Sequence, residues 1–338
     1  MPALQRRIQQ PLRPGPARYG MLAVAWHAGE RPGLSAPAVG SCGTCGSGGT
    51  VVPPVGGTSG SRKDRTVTFL EKLRKAIRAQ QSLLCIGLDP DIGSLPTGLP
   101  RSVDGILSFN RAIVEATADL VCAYKPNLAF YEALGAPGLD CLAQTREMIP
   151  PEIPVIGDAK RGDVGHTNQQ YARALFDVLG FDAVTVHPYL GGEALEPFLE
   201  RSDRGVFVLC RTSNPGAAEL QDIMVAESGT ICSLSEYVVW RVHAWNTRGN
   251  CGLVVGATSP QELRRIRELA PDLPLLVPGV GAQGGDLAEA VASHRADAPT
   301  IIAVSRAILY ASGGSDFAEA ARTAAERLRE QMRAAVAG

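Results

Sequence analysis

The sequence of 338 residues lacks a charge excess of one sign, a long apolar run and a cysteine-rich framework. Its 33 Lys and Arg residues nearly balance 34 Asp and Glu residues, which argues against a general nucleic-acid binder. No run of about 18 apolar residues occurs, and this excludes a membrane span. Eight cysteines are too few for a disulfide scaffold. Cys85, Cys122 and Cys210 lie in apolar stretches, so we predict free thiols in a reducing, cytoplasmic setting.

The first part of the chain has few features of a folded domain. Residues 1–61 contain 12 Gly, 8 Pro and a single acidic residue, without a sustained helical or strand period. We predict that residues 1–66 form a disordered extension, because they cannot bury enough apolar surface to offset the entropy of ordering. An arginine-rich transit peptide and a start codon assigned too far upstream are the alternatives. Cys42 and Cys45 lack a second ligand pair at zinc spacing, so no metal site is predicted there.

From Thr68 onward, apolar runs of strand length alternate with amphipathic helical stretches. Continuous apolar strands separated by helices predict a parallel sheet that is buried on both faces. Eight such units over about 270 residues predict a (β/α)8 TIM barrel in residues 67–338. A doubly wound open sheet is the alternative, but no G-x-G-x-x-G follows the first run. The predicted strands are Leu83–Leu88, Leu120–Tyr124, Pro154–Gly157, Ala183–Val186, Val206–Leu209, Gly252–Val255, Leu275–Val277 and Thr300–Val304.

Polar residues follow almost every predicted strand. In a (β/α)8 barrel the active site forms at the C-terminal ends of the strands, so these residues are the candidate site. Asp158 and Lys160 stand two positions apart, which places their side chains on the same side of an extended strand. Lys125 follows the neighbouring strand, and Asp163 follows a turn. Since buried charges are costly unless they pair, we predict an alternating Lys/Asp cluster in the barrel mouth. A purely structural ion-pair network is the alternative.

The segment after the seventh predicted strand is rich in glycine and spans residues 278–285. Glycines allow backbone N–H groups to converge on an anion, and barrel phosphate sites commonly use the loops after strands seven and eight. Arg306, after the eighth strand, adds a guanidinium suited to phosphate. We therefore predict a phosphate site, with an ordinary glycine-rich turn as the alternative.

Together these residues resemble the orotidine 5'-phosphate decarboxylase family, in particular its longer, type 2 subfamily. The D-x-K-x-x-D pattern at Asp158–Asp163 is shared with related sugar-phosphate decarboxylases. The motif TSNPGA at Thr212–Ala217, PGVGAQGGD at Pro278–Asp286 and SRAILYA at Ser305–Ala311 narrow the likeness to the nucleotide enzyme. The resemblance extends over about residues 69–329.

The resemblance implies a homodimer that converts orotidine 5'-monophosphate to uridine 5'-monophosphate in pyrimidine biosynthesis, without metal or organic cofactor. Lys160 would then protonate C6 of the pyrimidine, and Asp158 would lie against the substrate carboxylate. Lys125 would hold Asp158 and the ribose. Asp163, with Thr167 beside it, would reach across the dimer interface to the neighbouring ribose.

The resemblance also implies a set of substrate-binding residues. They are Asp89 for the ribose hydroxyls, Ser213 for the pyrimidine, and Gln283 and Arg306 for the phosphate. It assigns no role to His166 or His187. Two other functions stay open: a metal-dependent barrel lyase acting on a sugar phosphate, with Asp158 as a ligand, and a nucleotide-binding protein without activity. Neither nucleic acid nor a membrane is expected as a partner.

Overall fold

The computed structural model describes residues 67–227, 229–258, 260–280 and 286–337. The predicted extension of residues 1–66, with Cys42 and Cys45, lies outside this range. The strands are β1 (Leu84–Leu88), β2 (Ala123–Pro126), β3 (Ile156–Arg161), β4 (Ala183–Val186), β5 (Gly205–Arg211), β6 (Met224–Glu227), β7 (Thr230–Ser233), β8 (Cys251–Val255), β9 (Leu275–Pro278) and β10 (Thr300–Val304).

The helices alternate with these strands along the chain. They are α1 (Phe69–Gln80), α2 (Val103–Thr117), α3 (Leu128–Glu132), α4 (Gly135–Met148), α5 (Gly165–Ala172), α6 (Gly191–Leu199), α7 (Ala218–Gln221), α8 (Leu234–Trp245), α9 (Pro260–Leu269), α10 (Leu287–Ala292), α11 (Arg306–Leu309) and α12 (Phe317–Ala337). A π-helical segment, Arg173–Val178, continues α5, and short 3-10 helices cover Ile92–Ser94 and Pro215–Ala217.

Eight parallel strands form one sheet in the order β2-β1-β10-β9-β8-β5-β4-β3. Parallel bridges between Tyr124 and Val155, and between Asn127 and Asp158, connect the two outer strands. The sheet therefore closes on itself, which confirms the predicted (β/α)8 barrel and excludes the open sheet. The antiparallel pair β6 and β7 lies outside the barrel, in the connection after β5.

The eight predicted barrel strands are all present; two match their predicted limits, four differ by one or two residues at an end, and the second and third differ by more. The second strand begins only at Ala123, because the apolar residues Leu120–Cys122 are buried in the connection that leads into it. The third strand continues to Arg161, four residues beyond its predicted end. The apolar run in the sequence ends at Gly157, but the strand continues through the polar residues Asp158 and Lys160. Their charges are tolerated there because Asp158 pairs with Lys125 and Lys160 at the barrel mouth. The β6–β7 hairpin was not predicted; it lacks the buried apolar run of a barrel strand, and its side chains Met224 and Ile231 are exposed.

Helix α1 covers the N-terminal end of the barrel. Its N-cap residue Thr68 forms a capping box with Glu71, which fixes where the helix begins. Phe69 is buried against Phe207 of β5 with ring centroids 5.7 Å apart, and its Cδ1 atom approaches Gly205 at the start of that strand. The start of the barrel is thus filled with side chains. The opposite end, where the strands finish, is left to form a site.

A buried arginine connects the elements near this covered end. Arg267 of α9 is only 4% exposed, and its guanidinium donates to the backbone oxygens of Ala270, Leu273 and Ala298 at 2.8, 2.8 and 3.2 Å. Burial lowers the pKa of this guanidinium to about 10. The group therefore stays charged at neutral pH and joins α9 to the segments that lead into β9 and β10.

We expect Arg267→Met to lower the free energy of unfolding by about 3 kcal/mol, because three backbone oxygens lose a charged donor. Arg264→Met, on the same helix but about half exposed, is the matched control and should stay within about 0.5 kcal/mol of the wild type. Urea denaturation of both variants measures the difference. Equal stabilities of the two variants would show that Arg267 does not hold these segments together.

Candidate active site

Three of the predicted charged residues meet at the C-terminal ends of β2 and β3. Lys125 Nζ lies 2.8 Å from Asp158 Oδ2, and Lys160 Nζ lies 2.5 Å from Asp158 Oδ1. The parallel bridge between Asn127 and Asp158 brings the two strands together where the barrel closes. The sequence order of these residues along two neighbouring strands thus becomes a Lys–Asp–Lys cluster in space.

The three side chains differ in how far they reach solvent. The Lys125 and Asp158 side chains are 9% and 11% exposed, whereas the Lys160 side chain is 50% exposed. Lys125 and Asp158 therefore form a buried ion pair, whereas the ammonium group of Lys160 is accessible to solvent. A side chain that contacts a ligand is expected to be partly exposed, and Lys160 meets this condition.

Two members of the cluster, Asp158 and Lys125, are held in their charged forms. Burial alone would raise the pKa of the Asp158 carboxyl, but the ammonium groups of Lys125 and Lys160 outweigh it and lower that pKa well below its usual range. Burial alone would lower the pKa of Lys125, but Asp158 and Asp89 outweigh it and raise that pKa. At neutral pH the site therefore contains an ionised carboxylate beside a charged, buried ammonium group.

Two cavities adjoin the cluster and share Lys125, Asp158 and Pro278 in their linings. The first has a volume of about 430 Å³, and the second has a volume of about 410 Å³. Lys160 and Ser213 line the second cavity. Both spaces reach Lys125 and Asp158, so one ligand could contact the cluster from both.

Buried polar atoms without partners mark the first cavity. Asp89 and Ser305 line it, and Asp89 Oδ1 and Ser305 Oγ are buried without a hydrogen-bond partner among the described residues. An unsatisfied buried oxygen is costly, so such atoms indicate groups that a ligand or water completes. The sequence analysis assigned Asp89 to the ribose hydroxyls, but it gave no specific role to Ser305, the first residue after the eighth strand.

Part of the predicted phosphate site borders the same cavity. Gly279 follows β9 with a φ of +96°, a conformation that favours glycine. Arg306 opens α11 and lines the cavity with an exposed side chain that pairs with no acidic group in the described part of the chain. Gln283 lies outside the described residues, so its predicted contact stays a prediction.

Asp163 does not join the Lys–Asp–Lys cluster within the chain. Its carboxylate accepts from the N–H of Val164 at 2.7 Å, and its own N–H donates to Asn168 Oδ1 at 3.0 Å. Among the described residues, no ion pair links Asp163 to either lysine. Thr167 follows on α5, with Oγ1 3.5 Å from the Nε2 atom of exposed His166. The predicted alternating order of four charges is thus realised for three of them.

His187 has a packing role that the sequence did not reveal. A Cβ atom on Gly162 would lie 2.6 Å from its ring Nε2 atom, so the imidazole packs directly on the glycine backbone. The N–H of His187 also donates to the carbonyl of Arg161 at 2.9 Å. These contacts fix the turn that follows β3, between the cluster and Asp163.

Thr185 is a residue of the site that the sequence analysis missed. It lies within β4, lines the second cavity, and hydrogen-bonds to both Asp158 and Lys160. In the sequence it stands inside an apolar run and looks like an ordinary core residue. Only the positions of β3 and β4 in the closed barrel bring its hydroxyl to the cluster.

The described ranges contain neither a metal-binding cluster nor a membrane-spanning helix. No group of three or more His, Cys, Asp or Glu side chains there has an arrangement that could hold a metal ion. No helix among the same residues has the length and apolar character needed to cross a membrane.

A closed (β/α)8 barrel whose strand ends carry a charged cluster and two adjoining cavities has the architecture of a barrel enzyme. A sequence profile of the orotidine 5'-phosphate decarboxylase / HUMPS family matches residues 82–324. The chain therefore belongs to this family, as the resemblance in the sequence predicted.

Individual relatives agree with this assignment. Orotidine 5'-phosphate decarboxylase of Thermomicrobium roseum is 60% identical over 278 residues, which cover 80% of this chain and 98% of the relative. The Herpetosiphon aurantiacus protein of the same name is 56% identical over 259 residues, or 76% of this chain and 95% of the relative. The structure of Leishmania donovani OMP decarboxylase is similar, with 37% identity and a TM-score of 0.71, covering 80% of this chain and all of that one. These relatives are carboxy-lyases.

Proposed function

We propose that this chain decarboxylates orotidine 5'-monophosphate to uridine 5'-monophosphate in pyrimidine biosynthesis, without a metal or organic cofactor. Lys160 is the proton donor to C6 in this proposal. The observation that carries it is the half-exposed ammonium group of Lys160, fixed 2.5 Å from buried Asp158 beside a cavity. The family and the names of its relatives support the choice of substrate.

The chemistry explains why such an ammonium group is needed. When CO2 leaves C6, the electron pair of the broken bond stays on that carbon, and no carbonyl group is placed to delocalise it. Enzymes can lower such barriers by as much as about 23 kcal/mol. A preorganised cation at C6 stabilises the developing carbanion. The carbanion then takes a proton from Lys160 Nζ, and solvent returns a proton to the amine.

Asp158 and Lys125 support Lys160 in this mechanism. The carboxylate of Asp158 keeps its charge and pairs with both lysines, so the Nζ atom of Lys160 is held in a fixed position beside the second cavity. In the proposed complex Asp158 also lies against the departing carboxylate, while Lys125 contacts the ribose. The buried Lys125–Asp158 pair therefore fixes the donor before the substrate arrives.

In this proposal the nucleotide occupies both cavities, with the pyrimidine in the second and the ribose in the first. Ser213, in the second cavity, hydrogen-bonds to the pyrimidine, and Asp89, in the first, binds the ribose hydroxyls. Arg306 and Gln283 bind the 5'-phosphate. Binding energy from this distant group orients the ring at Lys160, so the phosphate contributes to catalysis without touching C6.

We also infer a homodimer in which Asp163 and Thr167 contact the substrate of the neighbouring subunit. Val164, Tyr189 and Leu190 lie in the connections after β3 and β4, and their side chains are 47%, 88% and 42% exposed. Exposed apolar side chains beside the polar residues of a site are typical of an interface. They support the assignment of Asp163, which forms no ion pair with the cluster of its own chain in the described residues.

The dimer predicts complementation between two inactive variants. Lys160→Ala lacks the proton donor, and Asp163→Ala lacks the residue donated to the partner. After subunit exchange, a hybrid dimer of the two should contain one intact site and regain part of the activity. Mixing Lys160→Ala with wild-type-like Lys75→Ala, an exposed lysine of α1, controls for the effect of exchange itself. No regained activity after demonstrated exchange would contradict a shared site.

We infer a cytoplasmic location from the thiols. The six cysteines in the described ranges are all free and buried. Burial raises the pKa of Cys85 and of Cys210 to about 12, so both are neutral thiols of the core. Such unpaired thiols persist in a reducing compartment. Fractionation of the source cells tests this inference.

Turnover of orotidine 5'-monophosphate tests the proposed function directly. We expect the absorbance of the orotate ring to fall while UMP and CO2 form in equal amounts. A folded protein that binds UMP but does not consume the substrate would identify a nucleotide-binding protein instead. A folded protein that cleaves only a sugar phosphate would identify the related barrel lyase, which shares the D-x-K-x-x-D pattern.

A further inference from the structure

Thr185 occupies an unusual position for a buried threonine. It lies in β4, is 1% exposed, and faces the second cavity. The pairing of β3 with β4 is irregular between Gly157 and Arg161, the stretch that contains Asp158 and Lys160. The hydroxyl of Thr185 therefore stands next to the interrupted part of the ladder.

The backbone of Lys160 requires support at this point. Its φ is +46°, in the left-handed region that non-glycine residues rarely adopt and that costs about 1–2 kcal/mol. The N–H of Lys160 donates to Thr185 Oγ1 at 3.0 Å. This hydrogen bond forms while Lys160 is in the left-handed conformation, and it stabilises that conformation. The simple alternation of an extended strand, which predicted that Asp158 and Lys160 point to the same side, does not describe Lys160.

The same hydroxyl also fixes the carboxylate of the cluster. A hydroxyl group has a single proton, and because Oγ1 accepts from Lys160, its proton is free to go to Asp158 Oδ1, which lies 2.9 Å away. Asp158 Oδ1 is also the atom that Lys160 Nζ contacts. Thr185, the Lys160 backbone and the Asp158 carboxylate thus form a closed ring of hydrogen bonds through the Lys160 side chain.

We propose that Thr185 is a positioning residue for the proton donor: its hydroxyl fixes both the backbone and the carboxylate partner of Lys160, and so aims the ammonium group into the second cavity. This inference rests on the proposed function of Lys160. Among the described residues, the Thr185 side chain hydrogen-bonds only to these two members of the cluster.

The test compares Thr185→Val, which has the same shape without the hydroxyl, with Thr185→Ser, which keeps it. We expect the valine variant to lose about 100-fold in kcat, the effect of misplacing a reacting group by about 1 Å, with KM and UMP affinity unchanged. The serine variant should recover most of kcat. Thr300→Val, which removes a buried hydroxyl at the start of β10, controls for lost stability and should keep wild-type kcat.

Each outcome is decisive. A Thr185→Val variant with wild-type kcat would overturn the assignment, and so would one that loses UMP affinity together with kcat or that serine does not rescue. If the valine variant does not fold, Thr185→Ala, which also lacks the hydroxyl, is compared with Thr185→Ser instead. The wild type is assayed in the same series. An inactive wild type overturns the proposed function, whereas an active wild type with an equally active valine variant overturns only the role of Thr185.

Discussion

Lys160→Ala is expected to abolish decarboxylation and to leave nucleotide binding measurable. In the proposed mechanism the variant loses the cation at C6 and the proton that replaces CO2, two effects that together amount to at least about 10⁴-fold in kcat. The Lys125–Asp158 pair survives the change, with its Nζ–Oδ2 distance of 2.8 Å. This buried ion pair should therefore still form, and UMP should still bind.

The measurement combines a steady-state assay with UMP titration by calorimetry. Lys75→Ala, which removes an exposed ammonium group from α1, is the matched control and should have wild-type kcat. If Lys160→Ala kept more than a small fraction of the wild-type rate, another group would have to protonate C6. Loss of UMP binding along with activity would instead identify Lys160 as a structural part of the cluster.

The second large effect is expected from Arg306→Ala, which should lower kcat/KM by about 100-fold. A charge-assisted contact to a phosphate contributes about 3 kcal/mol, and each 1.4 kcal/mol corresponds to a factor of ten. The exposed guanidinium of Arg306 has no acidic partner among the described residues, so its removal leaves no buried charge behind. The loss should therefore reflect substrate binding rather than folding.

A shortened substrate tests the assignment to the phosphate. Orotidine lacks the 5'-phosphate, so wild type and Arg306→Ala should process it equally slowly, while they differ on the full nucleotide. Arg111→Ala, an exposed arginine of α2, serves as the control and should behave as the wild type on both. An equal loss on both substrates would remove Arg306 from the phosphate site, as would unchanged kcat/KM on the nucleotide.

The barrel and the location of its site could be predicted from the sequence, because both follow from simple periodicity. Apolar runs alternating with helices indicate a parallel closed sheet, and the strand ends of such a sheet converge. The meeting of Lys125 and Asp158 could be predicted from this convergence and from the pairing of their charges. They stand at the ends of neighbouring strands, and the charges would be costly to bury apart.

Other features depended on contacts that no local pattern encodes. The left-handed backbone of Lys160 and its bond to Thr185 arise where the pairing of β3 and β4 is irregular. Thr185 looked like a core residue because its neighbours in β4 are apolar. The contacts of Asp163 are set by the turn that follows β3, whose course depends on the packing of His187 against Gly162.

The central claim is that the Lys–Asp–Lys cluster performs the decarboxylation itself, without a metal ion. The most direct test is the turnover of orotidine 5'-monophosphate by the full chain after exhaustive treatment with EDTA, followed as loss of orotate absorbance. We expect the same rate with EDTA as without it, and no increase when Mg²⁺ or Zn²⁺ is restored. Loss of activity on chelation that a divalent metal restores would contradict this account and favour a metal-dependent barrel lyase.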